Sequence, residues 1–157
     1  MNALQAVRHV VDEYRRHHEL EVHLLNVQRP FPRHVARFVA RRDRASFHRE
    51  QSQRALEDAR RLLDAMRVPC RTHLEVGDRA RVISDLALRL GCDRIVLGTA
   101  RKSSLTRMLE DSVTGQVLEE TGVPVEIVAG TAISKLERYG IPLGISAGIG
   151  MLLLMLD

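Results

Sequence analysis

The residues of this chain best placed to do chemistry lie between Gly98 and Ser112. An apolar run, Ile95-Val96-Leu97, ends in Gly98-Thr99 and opens into a polar loop. That loop carries Arg101, Lys102, Ser103, Ser104 and Arg107 before a helix begins at Ser112-Val113. Glycine at a strand end lets a ligand approach the backbone closely, and the unpaired N–H groups of a helix start attract anions. Phosphate binding is the chemistry such a stretch supports. The structural alternative is that Gly98, Ser103, Ser104 and Ser112 only make the turn and cap the helix. Other sets are weaker. His17, His18 and His23 lie close together, but the spacing from His18-Glu19 to His23 is one residue too long for the helical zinc motif. They read as surface histidines. Cys70 and His73 fall on opposite faces of a strand and make a poor ligand pair. Ser84 and Asp85 read as the surface of a helix. No Ser-His-Asp order, Walker loop or paired carboxylate stands out, so neither a metal nor a catalytic residue is expected.

The elements that must position this loop follow from hydrophobic periodicity. Ala3, Leu4, Val7, Val10, Val11 and Tyr14 recur at helical spacing, and Val22, Leu24, Leu25 and Val27 then mark a strand buried on both faces. Pro30 and Pro32 place a loop after it. Ala55, Leu56, Ala59, Leu62, Leu63 and Met66 form the next helical stripe, ended by Pro69. Cys70 to Val76 alternates as a half-exposed strand does. Val82, Ile83, Leu86, Ala87 and Leu90 give the inner face of a helix that Gly91 stops. Leu109, Val113 and Val117 give that of the next, which Gly122 ends. The uninterrupted Ile95-Val96-Leu97 marks a central strand. Alternating helices and strands imply a mostly parallel sheet with right-handed crossovers. Cys70 to Val76 and Val125 to Val128 are read as its edges, the second because of Pro124.

This order of residues resembles the universal stress protein family. The resemblance rests on Gly77-Asp78, Ala80, Ile83, Ala87, Leu90-Gly91, Asp93, Ile95-Val96, Gly98, Leu105, Arg107, Leu109, Ser112-Val113 and Val123-Pro124-Val125, with weaker similarity from Ala3 to Val27. It implies a three-layer α/β sandwich of the adenine nucleotide alpha hydrolase-like type. In ATP-binding members the loop reads Gly, two residues, Gly, nine residues, Gly, then Ser or Thr. Here Gly98 and Ser112 match, while Arg101 and Asp111 stand at the second and third glycine positions. A carboxylate where a phosphate would sit costs on the order of a few kcal/mol in a partly desolvated pocket. Arg101, Lys102 and Arg107 offset part of that. The resemblance therefore implies a weakened or lost ATP site made by Val27, Gly98, Thr99, Arg101, Lys102, Ser103, Ser104, Ser112 and Val113, with Val27 where the family touches adenine. It also implies a non-catalytic stress-response module or, as the alternative, an ATP-binding switch with slow hydrolysis, together with a homodimer formed through Val123 to Val128 and a cytoplasmic setting.

The family's first strand, whose Asp contacts the nucleotide, has no counterpart before Asn2-Ala3-Leu4. A start assigned too late, or a truncated gene, would explain this. Otherwise the strands at Glu21 and Arg94 must pair directly or borrow a strand. Residues 1–130 are read as the domain and 131–157 as an apolar appendage. From Gly140 to Leu156 the appendage carries no charge, and Gly140, Gly144 and Gly148 recur every four residues. Two readings stand: a slightly short membrane span that would tether an adaptor, or a C-terminal helix that covers an apolar surface.

Composition narrows the classes further. The chain has 157 residues and a net charge of +4. Nearly all its basic residues are arginine. They cluster between Arg33 and Arg61, where interspersed acids give the reading of a solvated helix face. Tryptophan is absent and aromatics make up 3% of residues, which argues against a base-stacking nucleic-acid platform, so no nucleic-acid partner is expected. Cys70 and Cys92 follow no disulfide spacing and fit a reducing compartment.

Overall fold

The computed structural model of the chain describes residues 3–99, 113–129, 132–133 and 149–153. Helix α1 (Ala3–Arg16) leads into β1 (Glu21–Gln28), then the short α2 (Arg33–Ala36) and the long α3 (Arg41–Ala65). β2 (Cys70–Val76), α4 (Arg79–Leu90), β3 (Arg94–Thr99), α5 (Val113–Glu120) and β4 (Val125–Ala129) follow, with β5 (Ala132–Ile133) and β6 (Ile149–Leu153) last. The strands form one sheet in the order β2-β1-β6-β3-β4-β5, parallel except for the antiparallel β4–β5 pair. The expected three-layer α/β sandwich with a parallel sheet is the fold.

Strand period sorts the core into two layers. Val22, Leu24, Val96 and Val128 pack with α1 and α3 through Val7, Val10, Leu56, Ala59 and Leu63. Leu25, Val27, Ile95 and Leu97 point the other way, onto Ile83, Leu86 and Ala87 of α4 and Val117 of α5. Because alternate β1 residues feed opposite layers, six consecutive positions of that strand are buried. Local signals set the ends of α4. Asp78 caps it, its Oδ1 accepting from the Arg81 N–H at 3.1 Å. A Cβ on Gly77 would lie 2.8 Å from Val82 Cγ2, so any side chain there would force Val82 to move. Gly91 takes the left-handed conformation, φ +67°, and ends the helix.

Two expectations change. Residues 149–153 of the apolar tail are neither a helix over the surface nor a membrane span: they are the central strand β6. It pairs in parallel with β1 (Leu24↔Leu152, Leu25↔Leu153) and with β3 (Val96↔Leu152, Leu97↔Leu153). The strand that the sequence reading had to borrow comes from the chain's own C-terminal segment. Among the described residues no helix is long and apolar enough to cross a membrane. The remainder of the Gly140 to Leu156 stretch lies outside the described residues. The second change concerns the edges. β2 is one edge, with Leu74 and Val76 exposed. β4 is not the other, because β5 pairs with its Val128 and Ala129. Pro124 precedes β4 rather than interrupting it, and its carbonyl accepts from the Ile95 N–H at 2.8 Å.

Candidate functional site

β1 turns outward to β2 on one side of β6, and β3 turns outward to β4 on the other. This is a topological switch point, the place where open α/β sheets bind ligands beyond the carboxyl ends of their strands. Register defines the place closely. Leu25 and Leu97 lie level with Leu153 on its two sides. β1 then continues through residues 26–28 and β3 through residues 98–99, so Asn26 and Gly98 come next in register beyond the level of Leu153, and Val27 lies one residue further along β1.

The structure brings some of the expected site residues to this crevice. Gly98 and Thr99 end β3, beside Val128 and Ala129 of β4. Val27 lies across from them near the end of β1, with its side chain buried against the α4 layer. Val113 opens α5, half-buried. Arg101, Lys102, Ser103, Ser104 and Ser112 lie outside the described residues. One polar group there escaped the sequence reading. Asn26 is 2% exposed, and its Oδ1 accepts from Gln28 Nε2 at 2.7 Å. The signal was a single amide inside an otherwise apolar run, since a buried amide needs a partner.

Two histidine clusters lie away from the crevice, and no residue spacing marks either of them. At the N-terminal ends of β3 and β4, Glu126 Oε1 lies 2.8 Å from His9 Nε2, and Glu13 Oε2 is 4.0 Å from the same nitrogen. Arg94 reaches both carboxylates, Glu13 at 2.6 Å and Glu126 at 3.3 Å. The hydrogen bond to Glu126 outweighs burial and raises the His9 pKa above the usual imidazole value. Donor atoms of His9, Glu13 and Glu126 lie within 4.8 Å of one another, as metal ligands would. The Arg94 guanidinium already occupies the cationic role between the carboxylates, so the cluster is an ion-pair lock joining α1 to β3 and β4.

The second cluster overturns the surface assignment of His23. That ring is 2% exposed, and its Nδ1 lies 2.9 Å from Nε2 of His73 on β2. One ring donates and the other accepts, which requires both to be neutral or one to carry an extra proton. Burial lowers both pKa values; the neighbouring His73 lowers that of His23 further. Ser84, also read as surface, is 4% exposed, and its Oγ has no hydrogen-bond partner among the described residues. The cysteines offer no thiolate. Burial raises the Cys70 pKa and pushes that of Cys92 up to about 11.

Known proteins share this architecture. The structure of hypothetical protein MJ0577, whose biochemical function was assigned from its structure, matches with a TM-score of 0.63 at 23% identity, over 82% of this chain and 88% of that one. A universal stress protein family protein of Arabidopsis thaliana, solved with AMP bound, matches with a TM-score of 0.57 at 17% identity, over 82% and 78%. A universal stress protein family member from Burkholderia pseudomallei gives a TM-score of 0.57 at 20% identity, over 82% and 87%. No curated protein matches the chain. Residues 2–129 match the Universal stress protein family, more than half of the sequence. The chain belongs to the universal stress protein family.

Proposed function

We propose that this chain is a non-catalytic stress-response module that holds an adenine nucleotide weakly at the crevice beyond β6 and acts as a homodimer. The observation that carries this reading is the place of Val27 and Gly98 near the carboxyl ends of β1 and β3, the two strands that border β6, at the switch point of a sheet whose Arabidopsis relative was solved with AMP. In this reading the adenine lies against the end of β1 at Val27. The phosphates approach the backbone at Gly98 and Thr99, with Arg101, Lys102, Ser103 and Ser104 supplying charge and hydroxyls. Ser112 and Val113 offer the N–H groups of a helix start. Arg101 and Asp111 replace the family's second and third loop glycines, and Asp111 sets a carboxylate against the phosphates. Binding weaker than in ATP-binding members follows. The homodimer uses the part of the Val123 to Val128 stretch that precedes the β5 pairing at Val128. β5 pairs only with Val128 and Ala129, so no further strand borders the start of β4 among the described residues.

Thermal unfolding in the presence of AMP, and separately of ATP with Mg²⁺, tests the nucleotide site. At a hundredfold excess over Kd, specific binding adds about 2.7 kcal/mol of stability, an increase of several degrees in Tm. An unchanged Tm at millimolar nucleotide contradicts the proposal. Steady release of phosphate from ATP would contradict its non-catalytic part.

A further inference from the structure

The corner between α2 and α3 departs from the rest of the molecule. From residue 29 to residue 51 no side chain is buried. Residues 29–54 carry eight arginines against Asp43 and Glu50, a net charge of +6 in a chain whose total is +4. All three phenylalanines of the protein are here. Two of them have local work: Phe31 packs on Phe47 at 5.3 Å between ring centroids and on His48 at 4.8 Å, which ties the Pro30–Pro32 loop to α3. Phe38 does not join them. It stands 88% exposed in the turn between α2 and α3. Exposed arginines surround it in sequence at 33, 37, 41 and 42, and none of these forms an ion pair among the described residues. With no fully buried side chain, this corner contributes little to the core, and it presents an aromatic tip ringed by cations.

We propose that this corner docks on anionic lipid bilayers, with Phe38 entering the headgroup boundary and Arg33, Arg37, Arg41 and Arg42 resting on lipid phosphates. Charge complementarity selects a polyanion. The apolar tip selects a membrane over a nucleic acid. An interfacial site needs basic side chains around an apolar wedge, which is what the turn presents. A single-stranded nucleic-acid groove needs several rings open for stacking, and Phe31 and Phe47 are engaged with each other.

Co-sedimentation of the full chain with vesicles tests this. Phosphatidylcholine vesicles containing phosphatidylglycerol should retain the protein at low salt and release it as salt rises, while pure phosphatidylcholine should retain little. Each arginine near such a surface is worth about fivefold in binding, so R37Q/R41Q/R42Q should weaken it about a hundredfold. Phe38→Ala should weaken it several-fold with the salt dependence kept. Because none of these side chains is buried, circular dichroism and Tm of the variants should match the parent. Equal binding by the triple variant overturns the proposal. So does strong binding to neutral vesicles, which would show that the arginines do not drive the contact. Tighter binding to a single- or double-stranded oligonucleotide than to anionic vesicles overturns it as well, in favour of nucleic acid.

Discussion

The two halves of the sheet, on either side of β6, each depend on histidine, and they use it in opposite ways. In the β3–β4 half, His9 faces two carboxylates and is favoured as a cation. In the β1–β2 half, His23 faces another imidazole in a buried setting, and burial with that neighbour outweighs the Glu21 carboxylate at 3.7 Å, so both rings are favoured as neutral. The residue type is the same, and its neighbours decide the charge. The two clusters add to other fastenings in each half: the His9 cluster joins α1 to β3 and β4 beside their apolar packing, and the imidazole pair joins β1 to the edge strand β2 beside their backbone ladder and the Arg71–Glu21 ion pair.

The strongest way to break this contrast is Arg94→Met. It leaves Glu13 and Glu126 facing each other with only His9 to balance them. Because the cluster is roughly one-fifth exposed, screening reduces the cost below that of a fully buried pair, to about 1–3 kcal/mol. Urea denaturation at neutral pH reads this, and the His9 imidazole should titrate still higher by NMR, since Arg94 opposes its protonation.

The next effect is acid sensitivity in the β1–β2 half. The folded pKa values of His23 and His73 lie below the unfolded value of about 6.5. The unfolded chain therefore binds more protons in that window. The contribution of the pair is present above pH 6.5 and is lost as pH falls through the lowered folded values. His23→Leu should remove most of this acid-side loss, about 1 kcal/mol, when stability is followed from pH 7 to pH 5.

The smallest effect has the opposite sign. The raised pKa of His9 means that its contribution is fully present below pH 6.5 and fades as pH rises through the folded value. His9→Gln should thus cost about 0.5–1 kcal/mol at pH 6 and less at pH 9. A cost that grows with pH would show that the ring is neutral and the contrast false.

How much of this was legible depended on whether the signal was local. The ends of α4 were readable because Asp78 and Gly91 act within one turn. The two-faced burial of β1 was readable from its unbroken apolar run. His23 was misread because its sequence neighbours are polar, while strand period puts it on the same face as Leu25 and Val27. The His9 cluster joins residues from α1, β3 and β4 that are far apart in sequence, and no spacing announces it. β6 was hardest. An apolar run without charge fits a membrane helix, a core helix or a buried strand equally well. Only the place between β1 and β3 decides among them, and those partners lie far upstream in the chain. At the crevice, Gly98 and Val27 were legible through the family resemblance, whereas Asn26 was hidden by its apolar surroundings.

The account depends on β6 occupying the centre of the sheet, since the crevice and both halves are defined by it. Hydrogen–deuterium exchange of the intact protein, read on peptides covering residues 149–153, tests this directly. A central parallel strand should exchange as slowly as peptides from β1 and β3. Exchange of residues 149–153 at the rate of an open chain, while β1 and β3 remain protected, would contradict it.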